Sequence, residues 1–490
     1  MNHKGSIIRW LFILTLLPAT LFCQSKPVAD EVVSLNDKNL ARFAKESAPG
    51  IRQIEATLES AKLLRDSIDD QYHWRLQTDA SYLQAKERSL NQFAPVTTDV
   101  SQLQAAIIKP FSSGLSVGVS AFSNQVTNSF TKDATDTGFG LNLSVDLMKN
   151  LFGKLSKAQI NNAEALYEKA KLERLIQEKA FLQGLRRIYW SIVATNEQIK
   201  ISKGLLDTSL KQLADTEKRR KSNVADEGDV ARSRSQVASR KSNILLLEYQ
   251  RESQIQQLKE QIPTLADKKI VLDKVDLTGA IVEVLACTSV IQSHKVTPYE
   301  YTNYDEVLEL VKSAYLEKQA VTDASDGWDL TLNGEAKYFG KDLSYDSSID
   351  GISGDPQRRY SVGLQLNIPL DGRKTVTEDT MKRIDEKRFM AEKEMITARL
   401  NAYHSQTLTN IGLLQSAVRT QGQNSQDLQT SLKSAQKKFN QARLSFRELI
   451  TDQDLLLQSN LDEVRTKLTV LTTLLDYFSV FNQTPCGLNQ

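Results

Sequence analysis

The chain is built from two halves that repeat the same order of elements, and this duplication limits its fold more than any other feature. Each half reads as a helix, strand segments and a pair of long helices. Residues 154–222 contain no proline and only two glycines, and residues 374–442 share both properties. Because proline and glycine interrupt helices, both stretches predict helices on the order of 100 Å long. A globular core is not expected inside helices of this length.

Apolar residues recur at three- and four-residue spacing along the predicted helices. In the first half a second helix is expected from about Asp229 to Ile262, before Pro263. The last helix has the clearest seam, formed by Leu457, Leu461, Val464, Leu468, Leu471, Leu475 and Phe478. This spacing predicts helices packed against one another as coiled coils.

Segments of about ten residues alternate between apolar and polar side chains. They are residues 74–82, 114–122, 139–147, 328–338 and 360–370. Alternation with a period of two predicts strands that have one apolar face, and ten residues is the length that crosses a bilayer as a tilted strand. A soluble antiparallel sheet would show the same pattern, so both alternatives remain open. The polar stretches 123–137 and 342–359 are expected to be long hairpin loops in water.

The N-terminus has the pattern of a secretory signal peptide. A positively charged start precedes an apolar run over residues 10–23, and small residues follow, so cleavage is expected after Ser25. Acylation of Cys23 is an alternative, although Phe22 occupies a position where lipidation signals have a small residue. An uncleaved anchor is a third alternative, but the run is short for a membrane span. No other segment has 18 consecutive apolar residues, so the mature chain is expected to be soluble or to span a membrane as a β-barrel.

Charge and residue types give no indication of an enzyme. The chain has 62 basic and 60 acidic residues, a balance that argues against a nucleic-acid partner. Its four histidines are scattered, and no pair has metal-ligand spacing. No candidate nucleophile lies beside a candidate base. We therefore expect no catalytic residues, no cofactor and no metal site.

Two segments resemble the strand and strand-to-helix turn of the TolC-type outer-membrane efflux family. They are residues 140–153 and residues 360–373. The second contains Pro369-Leu370-Asp371-Gly372, whereas the first has Asp146 where the proline would be. The individual motifs are weak, and the order and duplication of the segments extend the resemblance over nearly the whole mature chain.

The resemblance implies a fold that is mainly α with β. Three protomers would each give four strands to a twelve-stranded outer-membrane β-barrel, which a long α-helical coiled-coil barrel would continue. Which part of residues 72–124 forms the first barrel strand stays open. Four strands cannot close a barrel and open edges cannot lie in lipid, so a membrane position by itself requires an oligomer. The expected divisions are a signal peptide (1–25), a first repeat (26–262), an equatorial insert (263–302), a second repeat (303–482) and a tail (483–490).

The function implied by the resemblance is that of a passive exit duct in the outer membrane. The expected partners are two further copies of the chain, a periplasmic adaptor, an inner-membrane pump and the outer-membrane lipid. Both tripartite efflux and type I secretion fit, and drug, protein and metal remain open as exported substrates. The alternative is a secreted structural coiled-coil protein with a soluble β-cap.

The family turns its helices at the periplasmic tips, which here correspond to Asn223–Val230 and Ala442–Leu449. Asn223 replaces the usual glycine, and asparagine tolerates the left-handed turn well. Aligning the two turns places Asp229 opposite Glu448, so both carboxylates are expected at the mouth of the tunnel, with Arg443 and Arg447 as partners. The expected adaptor contacts are Asn223, Val224, Ala442, Leu444, Ser445 and Phe446.

Two cysteines remain after removal of the signal peptide, Cys287 and Cys486. Both are expected in the belt around the helical barrel, within an oxidising compartment. A disulfide between them and separate burial of the two thiols are the alternatives.

Overall fold

The computed structural model describes most of the mature chain. The described residues are 32–85, 97–128, 134–273, 277–282, 286, 302–325, 328–368, 373–441 and 443–481. The predicted signal peptide with Cys23 lies outside these ranges, as do Ala442 and both partners of the predicted disulfide, Cys287 and Cys486. Those assignments therefore stay predictions.

Long helices dominate the fold and repeat in pairs. In chain order the labelled helices are α1 (Asp37–Ser47), α2 (Pro49–Asp70), α3 (Lys154–Lys221), α4 (Glu227–Gln261), α5 (Asn303–Ser325), α6 (Tyr345–Gly354), α7 (Arg373–Asn440) and α8 (Phe446–Val480). Both α3 and α7 have 68 residues, and both α4 and α8 have 35. The long helix pair is therefore repeated, since each half has one helix of each length in the same order.

The strands fall into two sheets. In chain order they are β1 (Val32–Leu35), β2 (Arg75–Gln84), β3 (Thr97–Pro110), β4 (Leu115–Asn128), β5 (Ala134–Asp146), β6 (Lys269–Leu272), β7 (Asp329–Asp342) and β8 (Gln357–Asn367). Strands β1 and β6 form a parallel pair. The other six form one antiparallel sheet in the order β2-β3-β4-β5-β7-β8. The predicted class, mainly α with β, is confirmed.

The prediction of four strands in each chain is corrected to six. The family resemblance implied four, whereas five of the six strands overlap segments that alternate in the sequence, and only β3 was not recognised. Its apolar residues fall on both faces, with Leu103 and Ile107 on one side and Val100 and Ile108 on the other. Such a strand lacks clean alternation and gives a weak period-two signal.

A short helix also replaces part of a predicted loop. Helix α6 occupies part of residues 342–359, which were expected to form an irregular hairpin loop. The side chain of Ser344 caps it by accepting a hydrogen bond from the Ser347 amide. No side chain fits at Gly340, where a Cβ atom would lie 1.9 Å from the Ser348 carbonyl oxygen. This helix therefore packs directly against the backbone of β7.

The helices meet the sheet at one end, through a tightly packed elbow before α3. Gly114 and Gly153 both adopt left-handed backbone conformations, with φ of 82° and 81°. A Cβ atom on Gly114 would lie 2.3 Å from the Asn150 carbonyl oxygen. The Asn150 side chain accepts a hydrogen bond of 2.9 Å from the Ser156 amide in the first turn of α3. The β3–β4 turn is thus locked against the start of α3.

The main apolar core lies partway along the helices rather than under the sheet. It joins α1, α3 and the C-terminal part of α8 around buried side chains such as Leu40, Tyr189, Ile192 and Leu471. The segment between the two repeats contributes Leu265 to this core. In the described part of the chain no helix is long and apolar enough to cross a membrane.

Candidate functional site

One face of the six-stranded sheet is apolar and exposed. Side chains that are paired from strand to strand line up in rows across all six strands. The central row consists of Leu76, Ile107, Val119, Leu141, Ala336 and Tyr360. At least half of the surface of each large side chain in this row is exposed, from 50% for Ile107 to 75% for Tyr360. The neighbouring rows add Leu143, Val362, Leu332 and Leu364 to the same face.

The opposite face of the same sheet is largely polar and charged. One of its rows contains Arg75, Ile108, Gly118, Asn142, Glu335 and Ser361. The Lys337 ammonium lies 2.8 Å from the Glu335 carboxylate, and it also lies 5.1 Å from the centroid of the Phe122 ring. Phe122 and Phe339 are buried together on this face, with ring centroids 6.1 Å apart.

The difference between the two faces determines which solvent each one suits. Exposed aliphatic and aromatic rows lose no hydrogen bonds against lipid, whereas the charged rows require water. The outer edges of β2 and β8 carry backbone groups without strand partners among the described residues. Since unpaired backbone groups are costly in lipid, a membrane position requires that these edges be paired.

The first helix tip turns where the sequence predicts. Asn223 has a φ of 54°, in the left-handed region. The Val224 amide closes the turn by donating a 2.9 Å hydrogen bond to the Arg219 carbonyl oxygen. Asp226 precedes α4 and caps it, because its side chain accepts a 2.7 Å hydrogen bond from the Asp229 amide. Asn223 therefore adopts the left-handed conformation that glycine usually adopts at such a turn.

The second tip is organised by a capping box at the start of α8. The Ser445 hydroxyl and amide both donate to the Glu448 carboxylate, at 2.6 and 3.0 Å, and the Glu448 amide donates to the Ser445 hydroxyl oxygen. Hydrogen bonds from Ser445 hold the pKa of the Glu448 carboxyl below its usual value. Asp229 and Glu448 are each the third residue of their helix, so the aligned carboxylates occupy equivalent positions.

The arginines expected beside these carboxylates are not their ion-pair partners in the described part of the chain. Asp229 forms an ion pair of 3.4 Å with Arg232. Among ion pairs within the described ranges, none joins Arg443 or Arg447 to Asp229 or Glu448. Arg447 instead lines a groove of about 530 Å³ between α4 and α8, together with Arg232 and Asp454.

The residues expected to contact an adaptor differ strongly in exposure. Val224 is 70% exposed at the first tip. Phe446 is only 7% exposed, because it packs against Phe439 and Leu449 in a small apolar cluster. Leu444 is half-buried against the same cluster. Among these apolar candidates, Val224 has the freest surface.

Buried polar contacts join the two helix pairs, and the sequence did not predict them. The Gln453 amide donates 2.9 Å to Gln212, and the Gln236 amide donates 2.9 Å to Gln453, so one buried chain of hydrogen bonds joins α3, α8 and α4. Nearby, Arg240 forms an ion pair with Asp454 while its own side chain is only 5% exposed. Glutamine at these positions resembles a solvated helix face, so no sequence signal marks them.

One segment of the sequence matches the model of a known protein family. Residues 111–262 match the sequence model of the outer membrane efflux protein family. Over these residues the chain is similar to the outer membrane efflux proteins. The protein is located in the bacterial outer membrane, with its helices in the periplasm. No curated protein matches the sequence.

Solved structures show the same fold over most of the chain. The outer membrane protein VceC from Vibrio cholerae is 14% identical, with a TM-score of 0.65, and the match covers 90% of this chain and 95% of VceC. The CmeC outer membrane channel from Campylobacter jejuni is 11% identical, with a TM-score of 0.64, covering 91% and 85%. The MtrE outer membrane channel from Neisseria gonorrhoeae, in an open state, is 13% identical, with a TM-score of 0.59, covering 90% and 88%.

Proposed function

We propose that this chain is one protomer of a trimeric exit duct in the outer membrane, which receives substrate from an inner-membrane pump through a periplasmic adaptor. The observation that carries the proposal is the direct connection of an exposed apolar sheet to helices on the order of 100 Å long. A sheet of this kind suits lipid, and helices of this length reach far into the periplasm. The structural matches support the same fold.

Apolar side chains on the helices also support assembly from several copies. Helix α4 exposes Leu245, Leu246 and Tyr249, and α7 exposes Met390, Met395 and Leu413. Within the chain α4 packs on α3, and α7 packs on α8 and α5. A ring in which α4 of one copy lies beside α7 of the next would cover both apolar surfaces. Helices buried in this way gain the stability that an isolated long helix lacks.

The helix tips form the periplasmic mouth in this proposal. Asp229 and Glu448 would each be repeated three times around the axis, and carboxylates gathered at a constriction attract cations. The adaptor would dock on the outer side of the same tips, at Asn223, Val224 and Leu444. Phe446 would support this surface from beneath, since it is buried in the tip cluster.

A secreted coiled-coil protein with a soluble β-cap fits the structure less well. Its sheet would need a water-compatible surface, yet the central row exposes Leu76, Val119 and Leu141 to at least half of their area. An apolar surface of this extent on a soluble protein would promote aggregation. Nor does the described part of the chain place three or more histidine, cysteine or carboxylate side chains together for a metal ion.

Purification from isolated outer membranes tests the proposal. The full chain should sediment with the outer membrane, require detergent for extraction and give the mass of three chains by light scattering after subtraction of detergent. Reconstituted into planar bilayers, it should conduct ions. A chain that is released from the cell as a water-soluble monomer would refute the proposed function.

A further inference from the structure

In the part of the chain that the structure describes, the six-stranded sheet has two unpaired edges, and the strands at these edges run in opposite directions. Strand β2 forms one edge and β8 the other. The helices join the sheet at a single end, because β2 and β7 begin there and β5 and β8 finish there. Strand β2 therefore runs away from the helices, and β8 runs toward them. When two copies stand side by side, β8 of one copy and β2 of the next form an antiparallel pair.

We infer that the outer-membrane barrel of this protein is closed by pairing of β8 with β2 of a second copy, so that three chains form an eighteen-stranded barrel. This inference rests on the trimer proposed above. It departs from the twelve strands implied by the family resemblance, because each chain supplies six strands to one continuous sheet. The partner on each edge is thus another copy of this chain.

Strands β2 and β3 are the two beyond the expected four. The register of their side chains assigns them to the same membrane sheet as the other strands. Leu76 of β2 and Ile107 of β3 continue the row of Val119, Leu141 and Tyr360 without a change of face. All five side chains are at least half exposed. On the other face, Gln77 and Arg359 belong to a single row that includes Ser120 and Lys337. A hairpin lying outside the barrel would have no reason to repeat both faces in register.

The turn between β3 and β4 also fixes the β2–β3 hairpin to the rest of the chain. Two left-handed glycines, Gly114 and Gly153, bring the turn against the elbow before α3. The Asp146 amide donates a 3.0 Å hydrogen bond to the Gly114 carbonyl oxygen. The hairpin therefore begins at the same level as the other strands, as a barrel wall requires.

Strand number sets the width of the outlet. With strands about 4.8 Å apart and tilted by about 40°, eighteen strands give a backbone diameter of about 36 Å, and twelve give about 24 Å. Barrels of 16–18 strands leave an aqueous channel. The polar face, with Glu335, Lys337 and Arg359, would line this channel. The membrane outlet would then offer little resistance, and the narrowest point would lie at the helix tips.

Cysteine bridges between the two edge strands test the inference. Within one chain β2 and β8 are five strand spacings apart, about 24 Å, so a bridge between them must join two copies. The full chain carries Cys287→Ser and Cys486→Ser as background. The tested set combines one cysteine from Gln77, Asp79 or Ser81 with one from Arg359, Ser361 or Gln365, all on the polar face.

Oxidation of intact outer membranes should give bridged dimers and trimers for at least one of these pairs, and reductant should return them to monomers. The matched control, Thr78→Cys with Ser361→Cys, places the thiols on opposite faces of the sheet and should bridge about tenfold less. Averaged images of the detergent-extracted trimer should show a barrel about half again as wide as one of twelve strands.

A second set of variants gives the outcome that would overturn the inference. Ser116→Cys or Asn124→Cys on β4, combined with Ser361→Cys, would bridge if β4 were the edge strand of a twelve-stranded barrel. Such bridges in a trimer would disprove the eighteen-stranded barrel and leave the exit duct intact. A trimer that gives neither kind of bridge would also overturn it. A monomer without bridges would refute the proposed function as well.

Discussion

A single charge placed on the apolar face of the sheet should block membrane assembly, whereas the same charge one residue further along should not. Leu141 is near the centre of β5, in the row that crosses all six strands, and is 51% exposed. Asn142 follows it on the polar face, directly opposite Glu335 of β7. Leu141→Arg and Asn142→Arg therefore introduce the same side chain into two different solvents.

The expected penalty follows from the depth of the residue in the bilayer. An arginine on the lipid face of a barrel costs about 2–4 kcal/mol at the midplane and about 0–1 kcal/mol near the interfaces. Since Leu141 lies in the middle of its strand, we expect about 3 kcal/mol per chain, or roughly a hundredfold shift in the folding equilibrium. Asn142→Arg should cost less than about 1 kcal/mol, because water and the Glu335 carboxylate are available to the guanidinium.

Two measurements check the prediction. The first is the fraction of each variant that reaches the outer membrane in a density gradient. The second is the urea concentration that unfolds the protein in lipid vesicles. We expect Leu141→Arg to be depleted from the membrane and Asn142→Arg to resemble the parent chain. Equal behaviour of the two variants, whether both assemble or both fail, would refute the assignment of the lipid face.

Three further predictions concern other parts of the chain. Asp229→Asn combined with Glu448→Gln should reduce the cation preference of single-channel currents, and unchanged selectivity would disprove the mouth assignment. Intact mass with and without reductant should differ by two hydrogens if Cys287 and Cys486 are bridged, and two free thiols would exclude the bridge. Burial lowers the pKa of His404 from 6.5. Its neutral form is therefore favoured in the folded state, and the associated stability, present above pH 6.5, is lost as the pH falls through the lowered pKa. His404→Gln should reduce the acid sensitivity of the unfolding midpoint, and an unaltered pH dependence would contradict this role.

The helices and the first tip were predictable because local rules determine them. The absence of proline over residues 154–222 predicted α3 to within one residue of its end. The left-handed turn at Asn223 follows from the tolerance of asparagine for that conformation, and the structure confirms it. In both cases the decisive information lies within a few neighbouring residues.

The remaining features depend on which elements meet in space. Strand β3 carries apolar residues on both faces, so alternation does not mark it, and only pairing with β2 and β4 reveals it. The sequence predicts Phe446 as an adaptor contact because it lies at the second turn, whereas its burial against Phe439 of α7 is visible only in the structure. The link from Gln212 through Gln453 to Gln236 joins three helices that are distant in sequence. No single segment contains the information for these contacts.

The equal lengths of α3 and α7 fix the distance between the sheet and the two helix tips. Both helices extend 68 residues from the sheet, and at their far ends the Arg219 guanidinium lies 4.7 Å from the centroid of the Phe439 ring. The two tips therefore end at the same depth. A seven-residue insertion in one helix alone would displace its tip by about 10 Å and separate this contact. The reach of the protein can change only if both repeats lengthen together, so two separate stretches of sequence are constrained to the same length.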